Sequence, residues 1–320
     1  MKEFLIASFV VLFVIAILFV WFYFCAGVGD LKHAKKEFEI FGLKEGFVPQ
    51  GLAFATKENK FLISGHMSKK NEPSRIYIVD EKTYQLEKFV TLFFGGKFFT
   101  GKASGISVFA DSVFVSSEGR VFRVLLSDLI DAKNGESVRV LDSFETGNNA
   151  DFCTVDGRFL WVGEHYKLGK TKTDTTHHIT LESGEQSHAV AFAFPLSICS
   201  TCGVESKIPQ KAIAIPDMVQ GMCFADGKIY LSTSGSGFKS NVCVYDNVLV
   251  QKPHKKMVLD DKTVDLWEMC GKDLKKNYVL PEMSREIVWG QGKLFVLFNS
   301  ASKKHKRFAR VSLNHVFSIK

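Results

Sequence analysis

The sequence has no Asn-X-Ser/Thr triplet, no second Cys-X-X-Cys beside Cys199-Ser-Thr-Cys202, and no long helical hydrophobic pattern after its first thirty residues. Each absence narrows the reading. Lack of the triplet removes any N-glycan acceptor and weakens the case for a secretory glycoprotein. A lone Cys-X-X-Cys with no His pair at ligand spacing does not make a zinc site, so Cys199 and Cys202 are left as a local disulfide or redox pair. Charge is also scarce: charged residues make up 23% of the chain against 46% hydrophobic, which excludes a disordered chain. The net charge of +7 has a local source, the run Lys303, Lys304, His305, Lys306, Arg307 and the looser set Lys167, Lys170, Lys172. No aromatics interleave with these cations for base stacking, so no nucleic acid is expected. The plain reading is a solvated hairpin tip, with an anionic partner as the alternative.

What is present begins with Phe4 to Cys25, which carries no charge and only Ser8 as a clearly polar side chain. At ~1.5 Å per residue this run makes a helix of about 33 Å, against a hydrocarbon core of ~30 Å. Residues 1–30 therefore read as a single-pass membrane anchor crossing through 4–25, with residues 31–320 as one domain on the extracytoplasmic side. A cleaved signal peptide is the alternative, with Ala26, Gly27 and Gly29 as small residues for processing. Lys32, Lys35 and Lys36 after the span, against Lys2 before it, run counter to the simple positive-inside expectation. Of the cysteines beyond Cys25, Cys223 and Cys243 fall within apolar strand patterns and read as small core residues.

The body is built around the stretch from Val219 to Asp246. Met222 and Phe224 alternate with their neighbours, Asp226-Gly227 suits a tight hairpin, and Ile229/Leu231 and Val242/Val244 alternate again. Similar units run from Val48 to Asp80, from Ala103 to Leu126, from Asn149 through a polar insertion, and from Ser284 to Leu313. Spacings of roughly 45 to 70 residues with several strands per unit indicate an all-β repeat fold, a β-propeller. Five blades are expected, or six if residues 250 to 283 hide a degenerate one. Glu37 to Phe41 is expected to pair as the outer strand of the last blade and close the ring, which removes exposed sheet edges.

Overlaying the units brings out polar positions that strand formation does not require. The first strands open on Gln50-Gly51, Ser104-Gly105, Ala150-Asp151, Gln220-Gly221 and Arg285-Glu286. The second strands close on His66, Glu118, Glu164, Ser234 and Asn299, with His165 beside Glu164. Inner strands of a propeller line its channel, so Gln50, Glu118, Asp151, Glu164, Gln220, Ser234, Glu286 and Asn299 are candidate ligand-binding residues at one mouth. Among them Glu118, Asp151, Glu164 and Asn299 offer the hard oxygen donors that calcium accepts. His66 or His165 would be the general base, since imidazole titrates near neutrality. The plain alternative is polar filling of a wet channel.

Other motifs carry less. Gly96 to Ala103, GKFFTGKA, nearly matches a phosphate-binding loop, but Ala103 lacks the hydroxyl and a strand follows, so a loop between blades is expected. His177-His178 lies in the polar insertion and reads as part of a surface loop.

The phrases VPQGLAF, PSRIYIVD, VQGMCFADGKIYLSTS and LFNSASKK resemble those of uncharacterised bacterial secreted propellers over most of the body after Val48. In repeat rhythm the chain resembles, more distantly, the six-bladed calcium-dependent group of gluconolactonase, strictosidine synthase and paraoxonase-like propellers. That second resemblance implies a calcium ion at the channel, held by Glu118, Asp151, Glu164 and Asn299. The expected function is a membrane-anchored propeller binding a small molecule or protein at its channel mouth. The alternatives are a calcium-dependent hydrolase of the lactonase or esterase type and a non-catalytic scaffold.

Overall fold

Short alternating apolar strands joined by Gly- and Asp-bearing turns form antiparallel sheets that repeat around an axis. The structure, a computed structural model, describes residues 2–25, 31, 34–234, 239–259 and 262–319. The first blade contains Phe47–Ala55, Lys60–Met67, Arg75–Asp80 and Leu86–Phe94, from the axis outward. The second contains Gly105–Phe109, Ser112–Ser117, Arg120–Leu125 and Asp142–Glu145. Phe152–Val155, Phe159–Gly163, Ala189–Pro195 and Lys211–Ile215 make the third. The fourth contains Val219–Ala225, Lys228–Ser234, Ser240–Asp246 and Leu274–Leu280. Ser284–Gly290, Lys293–Phe298 and His315–Ile319 make the fifth, whose outer strand is the N-terminal Lys35–Glu39.

This is a five-bladed β-propeller. Each inner strand touches the next and the fifth touches the first, so the ring is closed. The closing strand pairs Lys35 with Ser318 and Glu39 with His315, starting two residues before the expected Glu37. Phe38 and Ile40 bury their side chains in this seam at 2% and 1% exposure. The core is divided into five apolar clusters, one between each pair of neighbouring blades. Burial between sheets, rather than toward the axis, leaves the inner ends of the strands free to carry polar groups.

Residues 250 to 283 do not form a sixth blade. Lys255–Leu259 and Lys262–Glu268 form a hairpin, and Lys262–Glu268 pairs in parallel with Lys211–Ile215 at the outer edge of the third blade. Ser137–Arg139 does the same to Leu86–Phe94 of the first blade. Both strands come from the following blade's third-to-fourth connection, which is long enough for the crossover that parallel pairing needs. Two outer edges are covered in this way.

The N-terminal helix spans Lys2–Cys25. Its described side chains, residues 8–20, are exposed, Phe9, Leu12 and Phe19 among them. Among the described residues no helix is long and apolar enough to cross a membrane, and the ends of the span expected over 4–25 lie outside the described side chains. Cys223 is buried as expected, whereas Cys243 is half-buried; Cys199 and Cys202 are both free thiols.

Candidate binding site at the channel mouth

Five inner strands bring five backbones to one axis, and the chain meets the crowding with glycine. A Cβ on Gly105 would lie 2.4 Å from the Cys153 nitrogen, and one on Gly51 would lie 2.8 Å from the Ile106 nitrogen. On Gly221 it would lie 2.7 Å from the Glu286 Cα. Neighbouring strands thus touch backbone to backbone, and the channel is pinched at this level. Below the pinch lies a small chamber of about 190 Å³ of mixed lining, with Leu52, Ile106, Cys153 and Ile287 beside Ser107 and Thr154 in its wall. Above it lies the polar mouth.

The residue just before the pinch in each blade projects into that mouth: Gln50, Ser104, Asp151, Gln220 and Arg285. In three blades a register shift falls at this point, between Pro49 and Gly51, between Val219 and Gly221, and between Ser284 and Ile287. A bulge re-aims the side chain it carries, which turns Gln50, Gln220 and Arg285 inward. His66 joins them from the end of its second strand and His165 from just beyond its own, and Lys102, Thr171, Lys304 and His305 from loops. Together they enclose about 250 Å³. An outer chamber of about 570 Å³ shares His165, Thr171, Gln220, Arg285 and His305 and extends to Lys167, Lys170, Ser234, Met283, Asn299 and Phe308.

Arg285 organises the mouth. Its Nη1 donates to Gln220 Oε1, and with the Asn299 amide oxygen turned toward it, Nε and Nη2 donate to that oxygen at 2.6 and 3.0 Å. Gln220 is thereby oriented, and its Nε2 donates to His165 Nδ1 at 2.8 Å. The same amide nitrogen lies 3.3 Å from His165 Nε2, so it faces both ring nitrogens. The Val219 carbonyl, 3.2 Å from Nδ1, would accept the proton of the charged form. Asp151 Oδ2 accepts from the His165 backbone N–H at 2.9 Å.

Electrostatics follow from burial under a fixed cation. Burial raises the Asp151 carboxyl to about 6, although the His165 N–H and Lys102 oppose the rise. Burial lowers His165 to about 4, with Arg285 adding to the effect. His66 also falls to about 4 through burial and then Lys304, and His305 to about 4 through burial and then Arg285. Arg285 itself drops to about 10 through burial and stays charged at neutral pH. The inner chamber thus presents Arg285, Lys102 and Lys304, three imidazoles that are uncharged at pH 7, and Asp151 as its one carboxylate.

Of the residues expected here, Gln50, His66, Asp151, His165, Gln220, Ser234 and Asn299 line the two chambers. Three do not. Glu118 sits exposed on a hairpin tip at φ 50°, ahead of Gly119. Glu164 is fully buried, its Oε1 accepting from His177 Nδ1 at 2.8 Å and from the Val190 N–H at 3.1 Å. Glu286 lies in the pinch, 1% exposed, with Oε1 accepting from the Met222 N–H at 3.2 Å and Oε2 unpartnered. Burial raises its carboxyl well above the usual range. The donors expected to hold calcium, Glu118, Asp151, Glu164 and Asn299, are therefore dispersed and do not fit a shared ion. Among the described residues no three His, Cys, Asp or Glu side chains cluster as metal ligands.

The mouth also contains residues the sequence reading assigned elsewhere. Lys102 belongs to the near-miss phosphate loop, and Lys304 and His305 to the basic run read as a hairpin tip. Arg285 stands in the same column as Gln50 and Gln220, and that column is the signal for it, although Glu286 beside it is polar too. His177, read as part of a surface loop, is 3% exposed.

No family model and no curated protein sequence matches the chain. Among solved structures, the glutaminyl cyclase of Myxococcus xanthus is similar at 10% identity and a TM-score of 0.45, covering 90% of this chain and 95% of that one.

Proposed function

We propose that the protein is a binding propeller whose channel mouth takes a small anion, a carboxylate or phosphate, held by Arg285, Lys102 and Lys304. One observation carries the reading: three cations converge on a chamber whose single carboxylate is raised to about 6 by burial. Low-dielectric walls strengthen such a field, and an anionic ligand would complete it. The Phe4–Cys25 run, with exposed apolar side chains over residues 8–20, supports an anchoring role for the helix. The scaffold alternative has no comparable feature in its favour, and the calcium-dependent hydrolase lacks a donor set that fits.

Isothermal titration of the full chain with inorganic phosphate and with acetate tests the reading. Lys102 and Lys304 are exposed, so their substitution spares the fold. Wild type should bind at least one anion, with affinity falling as salt rises, and the Lys102→Gln/Lys304→Gln pair should lose about tenfold or more. Folded wild type that binds neither anion at low salt would overturn it. Anchoring is checked by vesicle flotation: the full chain should float and a chain lacking residues 2–25 should not.

A second reading, catalysis on the bound anion, is favoured by the place of Asp151 and His165 together in the wall of the inner chamber. In that case Asp151→Asn would abolish turnover of ester or lactone probes while anion binding persists.

A further inference from the structure

The two chambers at the mouth differ in kind. The inner one is polar throughout, with Gln50, Ser104 and Asp151 on its floor and Lys102 and Lys304 at its rim. At about 250 Å³ it falls below the ~300–1,000 Å³ usual for a whole small-molecule ligand. The outer one, about 570 Å³, lies within that range and adds the large apolar side chains Met283 and Phe308. Because His165, Gln220, Arg285 and His305 belong to both walls, the chambers open into one another and a single ligand can occupy both.

Phe308 is the least expected of these residues. It ends the short 3-10 turn Lys306–Phe308 directly after the basic run, and it is 63% exposed. Its ring has the Arg307 guanidinium 4.6 Å from its centroid. A solvated loop tip does not call for a large aromatic, whereas a ring at a cavity wall offers a flat apolar surface to a bound group. Met283 stands across the same chamber at φ 68°, a left-handed conformation unusual for a residue with a side chain. Its thioether is flexible enough to follow the shape of an apolar guest.

We propose that the ligand is an amphiphilic anion: its acidic head sits in the inner chamber against Arg285, Lys102 and Lys304, and its aromatic or short acyl body lies in the outer chamber between Met283 and Phe308. The inference rests on the anion reading above and specifies the class of ligand for the same site. The pinch at Gly51, Gly105 and Gly221 closes the floor, so the head cannot pass through and the body must point outward along Phe308. A simple inorganic anion would leave the outer chamber to water.

The test compares inorganic phosphate with phenyl phosphate, and acetate with phenylacetate, by titration of the full chain. Within each pair the aryl member should bind about tenfold or more tightly, since burying a ring removes apolar surface from water. Phe308→Ser, an exposed-site change that spares the fold, should collapse the aryl-to-parent affinity ratio toward one. Lys304→Gln should weaken both members and leave the ratio standing. If parent anions bind and the aryl forms bind no better, the amphiphilic inference falls and the anion reading survives. If the ratio is high but unaffected by Phe308→Ser, the body lies elsewhere and the inference falls. If none of the four binds, both readings fail together.

Discussion

Asp151 and the three histidines set opposite pH responses at one mouth. An anion in the inner chamber is repelled by ionised Asp151 and tolerated by the protonated form. Anion affinity should therefore decrease as pH rises through about 6, by about tenfold between pH 5 and 7, and Asp151→Asn should bind tightly with a flat profile over that range. A pH-independent wild type would show that Asp151 does not face the ligand. For stability the histidines dominate. His66, His165 and His305 each have a folded value of about 4, below their ordinary 6.5. Between those values the unfolded chain binds more protons than the folded one, so stability is full above about 6.5 and is lost as pH falls toward 4. Asp151 and Glu286 work the other way, gaining stability as pH falls, but they are two carboxyls against three imidazoles. Thermal melts should show the Tm dropping from pH 7 to pH 4, and His66→Asn/His305→Asn should reduce the slope. At this scale the sequence was partly legible. Alignment on the pinch glycines located Gln50 and Gln220, because the inner strands share one geometry; the third blade has no glycine there, and the overlay set Asp151 one place off, in the glycine column. It could not tell Arg285 from Glu286, since a bulge decides which of two neighbours faces the mouth.

At the scale of the element, the inner strand and its glycine are the unit that forms the mouth. Gly105 does not adopt a positive φ; what it provides is room, because its neighbour across the pinch is backbone and has no side chain to swing aside. Gly105→Ala should destabilise the ring by about 1–3 kcal/mol, as overpacking does in a close-packed interior. Gly157→Ala is a control of a different kind: nothing lies near its Cβ, and only its positive φ is strained. Chemical denaturation of both variants separates the two causes, and a Gly105→Ala chain as stable as wild type would show that the strands can part. Strand existence was readable from alternation in every blade. The polar insertion between Gly163 and Ala189 was less so. Its composition suggested solvent, yet it folds back so that His177 reaches Glu164. A pairing between residues 13 apart in an irregular segment leaves no periodic trace. The Lys255–Glu268 hairpin had strand character but docks on a blade other than its own, and alternation does not name a partner.

For the whole molecule, closure is the decisive feature. Phe38 and Ile40, each worth roughly 1.5–3 kcal/mol of burial, lie in and just after the closing strand Lys35–Glu39, which pairs with His315–Ile319. Deleting residues 2–25 should leave the Tm of the ring unchanged, whereas deleting residues 2–40 should lower it sharply and expose an edge prone to association. Light scattering and melts of the two truncations measure this directly. Equal Tm values would mean that the seam contributes little.

The same seam sets a timetable. Lys35 pairs with Ser318, a separation of 318 − 35 = 283 residues. At synthesis rates of ~5–20 residues per second, the first strand waits roughly 14–57 s for its partner to be made. Four blades can assemble as they emerge, but the fifth holds an open edge until His315–Ile319 leaves the ribosome. During that interval the chain carries an unpaired strand at each end, and the cell must keep both from pairing with a neighbour before the ring can shut.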